Sequence, residues 1–144
     1  MKSAIVIDST TKLRKNFSSD VDIYTVPVRV FIDDEEFQDS DGLTQKILES
    51  IKEDKKVETS LPRIDYIEEL FEKLHKEYDI VYVLSVSSLL SGTYNLLCTI
   101  ANKYENIIVF DSKTVSIQNT YVLERMIKDI SNGKILEEDD IISY

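Results

Sequence analysis

Three short apolar runs, each followed directly by small polar residues, constrain the fold of this chain more than any other feature. The runs are residues 4–7, 80–86 and 107–110. A short continuous apolar run that ends at turn-forming residues is typical of a buried strand. Amphipathic stretches separate the runs, and strands that alternate with helices imply right-handed crossovers. We therefore predict an α/β fold with a mostly parallel sheet flanked by helices.

Two other stretches are predicted to be extended. Residues 23–32 are rich in β-branched side chains and predict a second strand, in which Pro27 requires an edge position or a bend because proline has no N–H to donate. Residues 59–62 should be extended because a residue that precedes proline avoids the helical region. The acidic run 33–36 predicts a solvated polar turn.

Amphipathic patterns predict the helices. A helix that starts near Thr44 would place four apolar side chains on one face, those of Leu43, Ile47, Leu48 and Ile51. The stripe within residues 64–78 is stronger, and its members are Ile64, Ile67, Leu70, Phe71, Leu74 and Tyr78. The last full helix should stop at Gly133. Residues 137–144, which open with four acidic side chains expected to be solvated, begin one more helix.

Charge and composition exclude several functional classes. The net charge of −10 repels phosphate backbones and anionic lipid surfaces, which argues against a nucleic-acid partner or a membrane-surface role. The apolar runs are far shorter than the ~20 residues of a membrane span. A single cysteine, Cys98, suits a reducing cytoplasm. We predict a cytoplasmic protein in which residues 1–144 form one α/β domain.

The polar residues after the three runs define a candidate binding edge. They lie within residues 8–11, 87–93 and 111–114. The carboxyl ends of parallel strands meet at one edge of a sheet, where ligands bind and where helix N-termini favour anions. The alternative is that Asp and Ser at these positions only cap helices and close turns. The residues themselves leave both interpretations open.

Catalysis and metal binding find little support in the residues. A serine nucleophile needs a nearby base, but the single histidine, His75, lies within an amphipathic helix, where a structural role is expected. One cysteine and one histidine make no metal-ligand set, and no glycine-rich phosphate loop is present. We therefore predict no catalytic residue, no metal and no cofactor. One enzyme hypothesis stays open, in which Asp8 and the serine loop act on a small anionic or phosphorylated substrate.

Five segments, taken together, resemble the DegV family of fatty-acid-binding proteins over essentially the whole chain. They are IDST at 7–10, VPVRV at 26–30, TSLP at 59–62, SSLLSGTY at 87–94 and DSKTVS at 111–116. Each motif alone is weak, but the order and spacing of all five are specific. The resemblance implies that this chain is the amino-terminal α/β domain of a longer, two-domain protein.

The resemblance also implies a ligand and a partner. Relatives enclose one long-chain fatty acid, such as palmitate, perform no chemistry themselves, and pass the acid to a fatty acid kinase subunit. The hydroxyls that hold the carboxylate correspond here to Thr59 and Ser91. The residues expected to flank them are Ser60, Gly92 and Thr93. The polar residues expected to support the site from behind are Asp8, Ser9 and Ser112.

The chain departs from the family pattern in three places. We expect residues 1–144 to lack the second domain, which covers the acyl tunnel in relatives and supplies a histidine and an arginine, and His75 is not assigned that role. Leu61 stands where relatives have glutamine, and residues 117–120 lack the usual glycines. A naturally short chain would need a partner or a homodimer to close the tunnel. The third hypothesis is accordingly an interaction module, or a truncated one, without a ligand.

Overall fold

The computed structural model describes residues 2–9, 11, 20–38, 43–85, 92–113 and 117–144, with the backbone alone at 44, 59 and 117. Within them, seven strands and five helices form. The strands are β1 (Ser3–Asp8), β2 (Asp22–Val26), β3 (Arg29–Ile32), β4 (Glu35–Gln38), β5 (Val57–Ser60), β6 (Ile80–Ser85) and β7 (Ile107–Asp111). The helices are α1 (Leu43–Lys52), α2 (Ile64–Glu77), α3 (Thr93–Ala101), α4 (Ile117–Ser131) and α5 (Glu138–Ser143).

Four strands form one parallel sheet in the order β2-β1-β6-β7. Helices α2 and α3 pack on one face of this sheet, and α4 and α5 pack on the other. Strands covered on both faces can be apolar at every position, which explains the continuous runs in the sequence. The predicted α/β fold with a parallel sheet between helices is confirmed.

Two hydrophobic cores fill the layers between the helices and the sheet. Successive strand residues point to opposite faces, so Val6 packs with α2 and α3, and Ile7 packs with α4 and α5. The buried stripe of α2 consists of Ile67, Phe71 and Leu74. Ile64, predicted to share that stripe, is 54 % exposed at the start of the helix. Among the residues that the structure describes, no helix has both the length and the apolar character needed to cross a membrane.

The predicted strand over residues 23–32 is wrong as a single element. The extended segment is interrupted at Pro27. As a result, β2 is an edge strand of the parallel sheet and β3 belongs to a second sheet. Proline has no N–H for a strand ladder, and the N–H of Val28 donates instead to the hydroxyl of Ser9 at 3.0 Å. The bend expected at Pro27 therefore separates two sheets.

The second sheet is antiparallel, with the order β4-β3-β5, and α1 packs on it. Asp33 and Asp34 have left-handed backbones, with φ values of 47° and 69°, as a two-residue hairpin turn requires. The acidic run 33–36 is thus half turn and half strand. The predicted face of α1 is only partly covered, because Leu48 and Ile51 are 50 % and 56 % exposed.

The carboxyl-terminal helices follow their sequence signals. Gly133, with φ of 85°, ends α4, and its N–H donates to the carbonyl of Ile130 at 2.9 Å. The predicted helix within residues 137–144 is α5. Its acidic run does more than face solvent, because Glu137 and Asp140 form a reciprocal capping box. Lys134 Nζ also lies 2.7 Å from Asp140 Oδ1.

A hydrogen-bonded tyrosine pair joins β2 to the end of α2. The hydroxyls of Tyr24 and Tyr78 lie 2.7 Å apart, and the Tyr78 hydroxyl donates to Asp22 Oδ2 at 2.5 Å. Burial, followed by these hydrogen bonds, raises the pKa of Tyr78 above its ordinary value of 10.0. The neutral phenol is therefore the form that the fold stabilises.

This raised pKa predicts a loss of stability at high pH. A group whose pKa rises on folding stabilises the protein fully below its unfolded-state pKa, and the contribution disappears as pH rises toward the folded-state pKa. We expect Tyr78 to make the free energy of unfolding fall as pH rises through about 10, with a slope that approaches about 1.4 kcal/mol per pH unit once the unfolded phenol is ionised. Urea unfolding between about pH 8 and pH 11 measures this slope. Tyr78→Phe should fall less steeply, and equal slopes for the two proteins would contradict the assignment.

Candidate functional site

The strand order places a topological switch point between β1 and β6. From β1 the chain crosses to β2 on one side, and from β6 it crosses to β7 on the other. Ligands in such sheets bind in the crevice at the carboxyl ends of the strands where the direction reverses. Asp8 ends β1, Ser85 ends β6, and Ser85 pairs with Asp111 at the end of β7. The predicted meeting of the polar segments after β1 and β7 at one edge is confirmed for their described members, while residues 87–91 of the middle segment lie outside the described residues.

Six polar side chains at this edge are less than 10 % exposed: Asp8, Ser9, Thr11, Ser85, Thr93 and Ser112. Asp111 is half-buried. Side chains at this edge also bond the backbone, since the Ser9 hydroxyl accepts from the N–H of Val28 at 3.0 Å and Asp111 Oδ1 accepts from the N–H of Lys113 at 2.9 Å. Ser112 donates its N–H to the carbonyl of Ser85 at 3.1 Å. These hydrogen bonds therefore hold the backbone in place at the carboxyl ends of β1, β6 and β7.

Thr11 lies in the polar segment 8–11 and has no predicted binding role. The residue is 2 % exposed, and its Oγ1 has no hydrogen-bond partner among the residues that the structure describes. A buried hydroxyl without a partner is unfavourable, so a water molecule or a ligand group would stabilise it. Its position close to Asp8, whose carbonyl accepts from the Thr11 N–H at 3.1 Å, puts it at the carboxyl end of β1.

The two predicted binding segments, which follow β5 and precede α3, lie close together. Leu61 directly follows β5, and its side chain lies against Gly92, where a Cβ would be 3.5 Å from Leu61 Cδ2. Gly92 precedes α3, and Thr93 begins it. Ser60 is half-buried, Gly92 is exposed and Thr93 is buried. The side chain of Thr59 and all of Ser91 lie outside the described residues.

Charged side chains surround the exit from β5. Arg29 on β3 donates from Nε to the carbonyl of Leu61 at 2.7 Å. Its Nη1 lies 3.3 Å from Glu36 Oε1, and Arg63 Nη1 lies 3.3 Å from Glu36 Oε2. Arg63 also pairs with Asp65, which lowers the pKa of that carboxyl. No sequence pattern predicts this network, because its members come from three separate segments.

His75 is a structural residue at the opposite end of the sheet. It lies near the end of α2, which leads into the amino end of β6. Its Nδ1 is 2.7 Å from Asn106 Oδ1, and the Asn106 amide donates to the carbonyls of His75 and Tyr78 at 3.1 and 2.9 Å. The expectation that His75 is a helix residue without a site role agrees with this position.

Comparisons with known proteins agree on one family. The family model described as "Uncharacterised protein, DegV family" matches residues 2–142. A DegV domain-containing protein of Clostridium acetobutylicum is 32 % identical over 136 residues, which cover 92 % of this chain and 49 % of that protein. The chain therefore spans about half the length of the curated relatives it matches.

Solved structures have the same fold. The crystal structure of DegV, a fatty acid binding protein from Bacillus subtilis, is 28 % identical with a TM-score of 0.82, over 99 % of this chain and 52 % of that one. The Streptococcus pneumoniae fatty acid kinase B3 protein, loaded with linoleic acid, has a TM-score of 0.78 at 19 % identity, over 99 % of this chain and 52 % of that one. The second likeness concerns the fold alone. By its family-model match and its curated relatives, this chain belongs to the DegV family.

Proposed function

We propose that this chain binds a long-chain fatty acid, such as palmitate, and that the hydroxyls of Thr59 and Ser91 hold the carboxylate. The observation that carries the proposal is the contact of Leu61 with Gly92, because these residues adjoin the two hydroxyl-bearing segments. Membership of the DegV family supports the class of ligand. The structural similarity to DegV of Bacillus subtilis, a fatty acid binding protein, supports it as well.

The surroundings of the proposed site suit an anion. In this proposal Ser60, Gly92 and Thr93 flank the carboxylate, and the first turn of α3 directs N–H groups and a partial positive charge toward it. Gly92 has an ordinary φ of −76°, and a Cβ there would make only ordinary contact with Leu61. Neither the backbone nor that contact requires glycine, which supports close approach of a ligand as its role. The buried residues that support the edge from behind are Asp8, Ser9 and Ser112.

The energetics divide between the headgroup and the tail. A hydrogen bond to a charged acceptor contributes about 1.5–3 kcal/mol, and each buried CH₂ contributes about 0.8 kcal/mol. A tail with a dozen or more buried methylenes would therefore dominate the affinity. The hydroxyls would fix the orientation of the carboxylate and discriminate it from neutral headgroups.

Substitution of the two hydroxyl residues tests the headgroup assignment. We expect Thr59→Val and Ser91→Ala each to weaken palmitate binding about 10- to 150-fold, because each removes one hydrogen bond to a charged group. Isothermal titration calorimetry on delipidated protein measures the dissociation constants. Thr99→Val is the matched control, since this exposed hydroxyl on α3 donates to the carbonyl of Asn95 at 2.9 Å and should not affect binding.

Two results would contradict the proposal. One is palmitate affinity in the Thr59 and Ser91 variants equal to that of the Thr99 control. The other is the absence of any fatty acid from lipid extracts of freshly purified protein, as weighed by mass spectrometry, together with no uptake of added palmitate.

We further propose that the protein acts in the cytoplasm, performs no chemistry itself, and presents the bound carboxylate to a fatty acid kinase subunit. The exposed position of Gly92 supports this, because the carboxylate would lie near the surface. Mixing the palmitate-loaded chain with a kinase subunit and ATP should give acyl phosphate, and neither protein alone should do so. Acyl phosphate formed by the chain alone would favour the enzyme hypothesis instead.

A further inference from the structure

The structure assigns a positioning role to Arg29, an inference that rests on the proposed fatty acid site. Arg29 holds the carbonyl of Leu61 and thereby fixes the Ser60–Leu61 segment against Gly92. It does so as a positioning residue that acts through the backbone, without touching the ligand.

The register of the small sheet brings Arg29 to this segment. Arg29 pairs with Ser60 across β3 and β5, so the two side chains share one face of the sheet. Leu61 lies one residue beyond the end of β5, where the ladder no longer supplies partners. The guanidinium supplies a hydrogen-bond partner for the Leu61 carbonyl, since Arg29 Nε donates to it at 2.7 Å.

Glu36 fixes the orientation of the guanidinium. One of its carboxylate oxygens lies 3.3 Å from Arg29 Nη1, and the other lies 3.3 Å from Arg63 Nη1. Arg63 comes two residues after Leu61. The Glu36 carboxylate on β4 therefore pairs both with the arginine that binds the Leu61 carbonyl and with the segment that follows Leu61. A planar guanidinium can serve a carbonyl and a carboxylate at once in this way, which a lysine ammonium does less well.

The exposure of these side chains indicates that the network contributes more to the position of the binding segment than to the stability of the fold. The side chains of Arg29, Glu36 and Arg63 are 30 %, 33 % and 46 % exposed. Ion pairs this exposed contribute little to stability. Small displacements of binding groups, in contrast, weaken recognition strongly. Loss of the network should therefore affect recognition of the carboxylate more than stability of the fold.

Glu36→Gln distinguishes positioning from direct attraction by charge. If Arg29 only attracted the carboxylate of the ligand, removing the competing Glu36 charge would strengthen binding of the acid. If Arg29 positions Leu61, losing Glu36 would loosen the guanidinium and weaken recognition of the acid. The two roles thus predict opposite signs for the same variant.

The experiment compares palmitate with hexadecan-1-ol, which has the same tail length and no charge, on the delipidated 144-residue chain. We expect the wild type to prefer the acid. Arg29→Ala and Glu36→Gln should each reduce that preference about tenfold, the scale of one weakened charge-assisted hydrogen bond, with alcohol affinity and the urea unfolding midpoint unchanged. Arg125→Ala, which removes an exposed charge on α4, is the control and should keep the wild-type preference.

Each other outcome overturns a defined claim. A greater preference for the acid in Glu36→Gln, or equal loss of acid and alcohol affinity in Arg29→Ala, overturns the positioning role. An unchanged preference in both variants overturns it as well, while the proposed function stands. A wild-type protein that takes up neither compound, or shows no preference between them, overturns the proposed function itself, and the role of Arg29 fails with it.

Discussion

Replacing Phe71 with alanine should lower the free energy of unfolding by about 3–5 kcal/mol. Phe71 is fully buried at the centre of α2, in the core that this helix and α3 form against the parallel sheet. Truncation removes the burial of the ring and leaves a cavity that neighbouring side chains fill only in part. A domain of this size has about 5–15 kcal/mol of stability, so the variant would lose a large fraction of it. Urea unfolding followed by circular dichroism measures the change.

Ile64→Ala provides the matched control for Phe71→Ala. It shortens an apolar side chain in the same helix, but Ile64 is 54 % exposed, so its effect should stay within about 0.5 kcal/mol. Similar losses for the two variants would show that α2 is not held against the sheet through the face that carries Phe71. A Phe71→Ala variant too unstable to purify can be replaced by Phe71→Leu, which keeps most of the volume and should lose less.

The parts of the fold that periodicity specifies could be predicted from the sequence. Continuous apolar runs of strand length identified β1, β6 and β7, and an i, i+3, i+4 stripe identified α2. The split of residues 23–32 between two sheets could not be predicted, because β-branched residues favour any strand and do not specify its sheet. Pro27 predicted where the strand is interrupted, but not that the two halves join different sheets.

The candidate site divides in the same way. The meeting of Asp8 and Asp111 at one edge was predictable, because the carboxyl ends of parallel strands must lie together. The contact between Leu61 and Gly92 and the hydrogen bond from Arg29 to Leu61 were not. Such contacts join residues distant in sequence, and no periodic pattern marks them. The family resemblance supplied Thr59 and Ser91 as site residues, and it assigned no role to Arg29, although Arg29 lies in the VPVRV segment.

Shortening the fatty acid should have the largest effect on binding. Laurate has four fewer methylenes than palmitate, and at about 0.8 kcal/mol each their loss costs about 3 kcal/mol, or roughly a 200-fold weaker dissociation constant. Calorimetry on a series of saturated acids between these lengths gives the slope of binding free energy per CH₂. The slope measures how much of the tail this chain buries by itself, which matters because the chain spans about half the length of its curated relatives.

Headgroup and tail contributions can be separated within the same series. Contributions from distant, independent groups add, so Thr59→Val should weaken every acid by the same factor and leave the slope per CH₂ unchanged. A slope near zero in the wild type would mean that the tail stays in water, and the proposal of a lipid site within this chain would then be wrong. A slope that vanishes beyond a certain length would instead mark where the tail leaves the protein. Because the tail is expected to supply most of the affinity, the slope tests the proposed function more severely than either hydroxyl substitution.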